Sequence, residues 1–241
     1  MSFGPKRDRS NDAADFAAVL SMLYSACVVG YNINKANFRS TPRWDLKASS
    51  RSKSMTDDAI ENLGPLAVLA GAWEGEKGGD TAPSPERSTA HRKFRERMTF
   101  DPIGRVDNHE QMLYGLRYAT TAWPEGGDDP FHEEVGYWLW DAGRQQVMRC
   151  FIVPRGVTVL AGGTVAPDAT NFRLAAEVGS ETYGICSNLF LDDEFKTIRY
   201  EFEVTIHDSD RFSYAENTVL QIKGQREFFD HKDENTLVRV A

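Results

Sequence analysis

The sequence predicts an all-β fold: an antiparallel β-barrel of about ten strands, entered through a short N-terminal helix. Three observations lead there. Residues 196–206 alternate strictly, with Ile198, Tyr200, Phe202, Val204 and Ile206 between Arg199, Glu201, Glu203 and Thr205. Period two sends the first set to one face of a strand and the second set to the other. Similar runs recur down the chain from Trp73, separated by turn residues and without a long helical pattern between them. Many of them keep one charged and one apolar face, as a one-layer closed sheet requires, and closure removes exposed edges. A barrel of that size is expected to enclose a mostly apolar cavity able to hold one ligand.

The chain enters the barrel through Leu63-Gly64-Pro65-Leu66-Ala67-Val68-Leu69-Ala70-Gly71-Ala72-Trp73-Glu74-Gly75. Pro65 starts an apolar helical turn, and a strand punctuated by Gly75 and Gly78-Gly79 leaves it. Further runs follow at 94–100, 111–123, 131–140, 146–153, 157–161, 171–178, 183–188 and 236–240. Asp101-Pro102-Ile103-Gly104, Glu125-Gly126-Gly127-Asp128 and Asp141-Ala142-Gly143 carry turn chemistry between them. Residues 196–206 and 211–222 form a hairpin around Asp208-Ser209-Asp210.

Composition narrows the function. The 241 residues carry a net charge of −8, and 41% are hydrophobic. Acidity argues against nucleic-acid binding, which rests on clustered basic charge. Cys27, Cys150 and Cys186 show neither metal-ligand spacing nor a disulfide framework. That fits a reducing, cytoplasmic location, with Cys150 and Cys186 expected as buried thiols in apolar strands. No Gly-x-Ser-x-Gly elbow, P-loop or His-Glu-x-x-His is present. Five histidines remain: His91, His109, His132, His207 and His231. Three of them lie in or beside polar turns, where a solvated side chain is the plain reading. His132 opens an apolar strand and shares parity with Glu134 and Gly136. His231 lies in a charged run near the C-terminus, which by spacing alone reads as an exposed loop.

Several of these residues together resemble the nitrobindins, heme-binding β-barrels similar in shape to fatty-acid-binding proteins. Pro65-Leu66-Ala67-Val68-Leu69 with Gly71, Trp73 and Gly75 resembles the family's entry motif, although Lys77 stands where its third glycine belongs. Glu96-Arg97-Met98-Thr99-Phe100 with Gly104, then Trp123, resemble the next strand and turn. His132-x-Glu134-x-Gly136-Tyr137, Pro154-Arg155-Gly156 with Gly163, and Phe212-Ser213-Tyr214 follow in order. The resemblance covers about Leu63 to Val240.

It implies a ferric heme b in the barrel, nitric oxide binding, and isomerisation of peroxynitrite to nitrate. It also implies His231 as the iron ligand, Ser84 as a hydroxyl at the heme edge, His132 as a pocket residue, and Trp73 beside the cofactor. The family histidine usually stands five residues before the leucine of a closing Leu-x-Arg. His231 stands six before Leu237, and one residue exchanges the faces of a strand unless a bulge absorbs it. The competing reading is a non-catalytic carrier of a fatty acid or other apolar molecule. No Arg-x-Tyr triplet of the kind that holds a fatty-acid carboxylate follows Trp73. A third reading is a barrel without heme that serves a partner. Apolar exposed strands allow a homodimer, and no stable membrane insertion is expected.

Residues 1–54 differ from the rest. They hold nine Lys or Arg and four Asp or Glu, whereas the remainder carries a net −13. Residues 16–31 form a nearly uncharged run, shorter than the roughly 20 residues of a spanning helix. The acidic segment before it makes a poor signal peptide, and Tyr24 spoils the lipoprotein-type site at Ala26-Cys27. Residues 32–54 have linker composition. We therefore expect an N-terminal extension over 1–54, a barrel domain over 55–241, and Met55 as the first residue of the natural product. Mass analysis of the native N-terminus tests this, and a product that begins well before Met55 overturns it.

Overall fold

The structure is a computed structural model that describes residues 58–240. The expected extension over 1–54, its apolar run, Cys27 and the start at Met55 lie outside the described residues. A helical turn over 58–61 leads into a 3-10 helix, Gly64–Leu69, with Pro65 in its first turn. Pro suits that position because its missing N–H would have no helical partner there. Leu63, Leu66 and Leu69 are at most 1% exposed and plug one end of the barrel.

Eleven strands follow: β1 (Gly71–Pro83), β2 (Thr89–Asp107), β3 (Met112–Pro124), β4 (His132–Asp141), β5 (Gln146–Val153), β6 (Val157–Thr164), β7 (Asn171–Val178), β8 (Gly184–Ser187), β9 (Phe195–Asp208), β10 (Arg211–Ile222) and β11 (Phe229–Arg239). They close in the order β1-β11-β10-β9-β7-β8-β6-β5-β4-β3-β2. The fold is the all-β barrel expected, with one strand more. A six-residue helix, Leu189–Glu194, links β8 to β9, and Asn188 caps it by accepting from the Leu191 N–H at 2.9 Å.

Three local expectations need correction. Asp101-Pro102-Ile103-Gly104 is no turn between strands. β2 runs through it for 19 residues, and the register against β3 shifts between Pro102 and Gly104. Gly104 takes φ 79°, so the turn chemistry serves a bulge. The sheet is also not wholly antiparallel, because β8 pairs parallel with β7. It fills the gap where β6 and β7 share a single bridge. Finally, Cys186 is exposed and Cys150 half-buried. In the four-residue β8 the inward position belongs to Ile185, which turns Cys186 outward.

Below the mid-height of the barrel the interior is aromatic. Trp73 is fully buried, its indole N–H donates to Leu69 O at 2.8 Å, and its ring meets Phe212 edge-on at 4.9 Å. Phe100, Tyr118, Trp138 and Phe202 continue the packing with stacked and edge-to-face contacts. Arg239 of β11 lies over Trp73 and donates to the carbonyls of Ala70 and Val68, which ties the last strand to the entry helix.

Gly136 on β4 shows why the barrel wall needs a glycine. A Cβ there would collide with the carbonyl oxygen and backbone of Cys150 and Phe151 on β5. Backbone cannot swing aside as a flexible side chain can. Gly136→Ala is expected to cost at least about 3 kcal/mol, measured as the loss of unfolding free energy in urea. A cost within about 0.5 kcal/mol would show that the two strands do not approach this closely.

Candidate functional site in the barrel mouth

The strand ends opposite the entry helix build a mouth whose lining is charged. In β11, burial alternates so that His231 and Asp233 share the inward face with buried Asn235 and Leu237. His231 is therefore a strand residue and not a loop residue. Its spacing of six from Leu237 keeps it on the interior side. Its Nε2 lies 2.9 Å from Asp80 Oδ1 of β1, and the ring remains 34% exposed. Asp80, 4% exposed, also binds Arg92 Nε of β2 at 2.7 Å. The Arg92 guanidinium lies over Phe131, and Phe131 meets Phe94 edge-on.

Across the mouth, His132 opens β4 with 37% of its side chain exposed. Its Nε2 lies 3.1 Å from Glu134 Oε1. Glu134 Oε2 accepts from Tyr118 Oη at 2.6 Å and from Arg149 Nη2 at 2.6 Å. Arg149 is 2% exposed, and its Nη1 donates to Glu216 of β10 at 3.1 Å and to Tyr200 Oη of β9. Tyr200 donates in turn to Glu216 at 2.7 Å. Beside this network, Glu96 accepts from Asn235 Nδ2 at 2.8 Å. Arg149 thus links β3, β4, β9 and β10 through the middle of the barrel.

Burial and charge set the protonation of this layer. Burial pushes Glu96 up to about 7, against hydrogen bonds from Asn235 and Tyr214. Burial likewise raises Glu216, although Arg149 opposes it. Asp233 is driven well up by burial and by repulsion from Glu216, Glu96 and Asp80. Glu134 goes the other way: burial would raise it, but Arg149 and His132 outweigh burial and hold it low. Burial would discharge His132, yet the hydrogen bond and charge of Glu134 raise it above the ordinary histidine value.

A family model for the THAP4-like, heme-binding beta-barrel domain matches residues 62–239. The chain belongs to that family, the nitrobindins. No curated protein matches it. Among solved structures, the crystal structure of Rv2717c from M. tuberculosis is similar in fold, with a TM-score of 0.50 and 20% identity. The match covers 76% of this chain and 98% of that one.

Set in this nitrobindin barrel, the four residues singled out in the sequence fall into two groups. The structure brings His132 and His231 to one mouth, where Glu216 is within electrostatic reach of both. Ser84 lies in the turn that joins β1 to β2, next along the chain from the strand end bearing Asp80. Its hydroxyl is engaged by Glu86 at 3.0 Å and Ser88 at 2.8 Å. Trp73 lies in the packed floor, with its N–H already used. The interior itself departs from the apolar lining expected. Asp80, Glu96, Glu134 and Arg149 are buried inward-facing charges. Their signal was in the sequence: Arg149 shares parity with Val147 and Phe151, and Glu216 with Phe212 and Tyr214. A charge at an apolar position of an alternating strand marks an interior ion.

The residues present fit a heme by their donor chemistry. Among the described residues no group of three or more His, Cys, Asp or Glu is arranged to hold a bare metal ion. A single imidazole backed by a carboxylate suits a metal that brings its own equatorial ring. Two surface hollows, one beside Lys77, Glu203 and Ser213 and one beside Gln111, Asp141 and Tyr183, lie on the outer wall and carry no such donor.

The pH dependence of stability checks the charged layer. A carboxyl raised from 4.5 to about 7 in the fold stabilises it fully below the unfolded value, and that contribution is lost as pH rises through 7. Glu96→Gln removes the loss. It is expected to raise the unfolding free energy at about pH 8 by up to about 3 kcal/mol, with the gain vanishing towards pH 4.5. Thermal unfolding across that range measures it, and an equal effect at both ends would contradict the assignment.

Proposed function

We propose that this barrel binds heme b in its mouth, with His231 as the residue that would hold the ferric iron. The observation that carries the reading is the His231–Asp80 pair: an inward-facing, solvent-reachable imidazole whose ring is held by a buried carboxylate. A carboxylate partner orients a ligating histidine. Family membership supports the same cofactor. Phe94 and Phe131 offer apolar contact for a porphyrin, Arg92 a cation for its carboxylates, and Ser84 a hydroxyl at the rim. Trp73 supports the floor beneath. A ferric heme held here would supply the chemistry of nitric oxide binding and of peroxynitrite isomerisation to nitrate. The protein's share is to hold the imidazole, limit access and exclude bulk water. Buried carboxylates facing the cavity disfavour a fatty-acid chain, which needs an apolar lining along its length.

Hemin titration of the full chain, followed by absorbance, tests the proposal. A saturable Soret band is expected, and His231→Ala should weaken hemin binding at least about tenfold, since loss of a ligating group typically costs more than loss of its supporting partner. An unchanged band in the variant would overturn the ligand assignment. Absence of a specific band in the natural chain would overturn heme binding.

A further inference from the structure

The mouth contains a second imidazole that heme ligation by His231 leaves free. His132 is bound by one protein group among the described residues, Glu134, through Nε2. Its ring is 37% exposed, whereas Glu134 is 4% exposed and fixed from the other side by Tyr118 and Arg149. This is the arrangement in which a buried carboxylate orients an imidazole and leaves its second nitrogen for a ligand.

We propose that His132 is the hydrogen-bond donor of the mouth, oriented by Glu134, and that it holds the oxygen end or the charge of a small anionic ligand in the cavity. The location of that ligand rests on the heme reading above; the His132–Glu134 device does not. One ring nitrogen is held by Glu134, and 37% of the side chain is exposed. A further buried donor, Arg149 Nε in the charged layer beside it, also finds no acceptor among the described residues. Unpartnered donors inside a barrel point to a ligand that accepts hydrogen bonds.

The charges around His132 set when it can act. Glu134 faces it from its own strand, Arg149 from β5, Glu216 from β10 and Glu96 from β2. Glu134 keeps the imidazole protonated beyond the ordinary histidine range. Burial holds Glu96 and Glu216 uncharged on the acid side of neutrality. There, His132 and Arg149 outnumber the ionised Glu134, and the cluster is net positive. As pH rises, Glu96 and Glu216 ionise, His132 discharges, and the same cluster becomes negative. Within this set, an anion is therefore held more tightly on the acid side.

Two measurements on the full chain test this. In the heme-free protein, the ring signals of His132, assigned by comparison with His132→Gln, are followed by NMR as pH is varied. They should titrate above the ordinary histidine value, and Glu134→Gln should lower that midpoint. In the hemin-loaded protein, fluoride is titrated by absorbance from about pH 6 to about pH 8. His132→Gln should weaken fluoride binding at the acid end about tenfold, the worth of one charge-assisted hydrogen bond, and flatten its pH dependence. An ordinary midpoint that ignores Glu134→Gln, or equal fluoride affinity in the two proteins, overturns the proposal. A chain that takes up no hemin overturns the heme reading. The NMR titration still decides the His132–Glu134 device in that case.

Discussion

The interior is organised around the buried guanidinium of Arg149. It pairs with Glu134 on one side and Glu216 on the other, with Tyr118 and Tyr200 completing its contacts. These partners come from two pairs of consecutive strands, β3–β4 and β9–β10, that are far apart in sequence. A buried ion of this kind gains little over a well-packed apolar residue, but removal of one partner strands a charge and costs roughly 3–5 kcal/mol. Its main effect is therefore specificity. The walls of the barrel can close around Arg149 in one register only, because a slip of one residue would turn these charges outward.

That charged layer divides the barrel interior into unlike halves. Below it the aromatic floor is dry and packed, from Phe202 and Trp138 down to Trp73 and the leucines of the entry helix. Above it the mouth holds two partly exposed imidazoles, each set on a buried carboxylate. A ligand that enters meets groups whose charge responds to pH before it meets apolar surface. The floor provides rigidity, and the chemistry is confined to the outer third of the strands.

The architecture was legible because a one-layer barrel writes period two into every strand, as in residues 196–206. The His132-to-Tyr137 motif was legible because each member has its own necessity. Gly136 is required by the approach of β5, and Glu134 by Arg149 and His132. Less legible were features decided by partners distant in sequence. His231 reads as a loop residue until β11 is seen to pair with β10 and β1, which turns Thr218 and Asp80 into its neighbours. Asp101 to Gly104 reads as a turn until β3 is seen to continue alongside it. Arg149 and Glu216 were readable from parity alone, but the expectation of an apolar cavity gave no role to inward charges.

The pairing of β1 with β11 has a consequence for biosynthesis. β1 leaves the ribosome ten strands before β11, one of its two neighbours, is made. Until residue 239 emerges, the nascent sheet has an open edge on each side, and the clasp of Arg239 on the entry helix cannot form. Folding that waits for so distant a contact is slow and exposes strand edges to other chains. Arg239→Ala would remove that clasp while leaving the pairing of β11 with β1 and β10 in place.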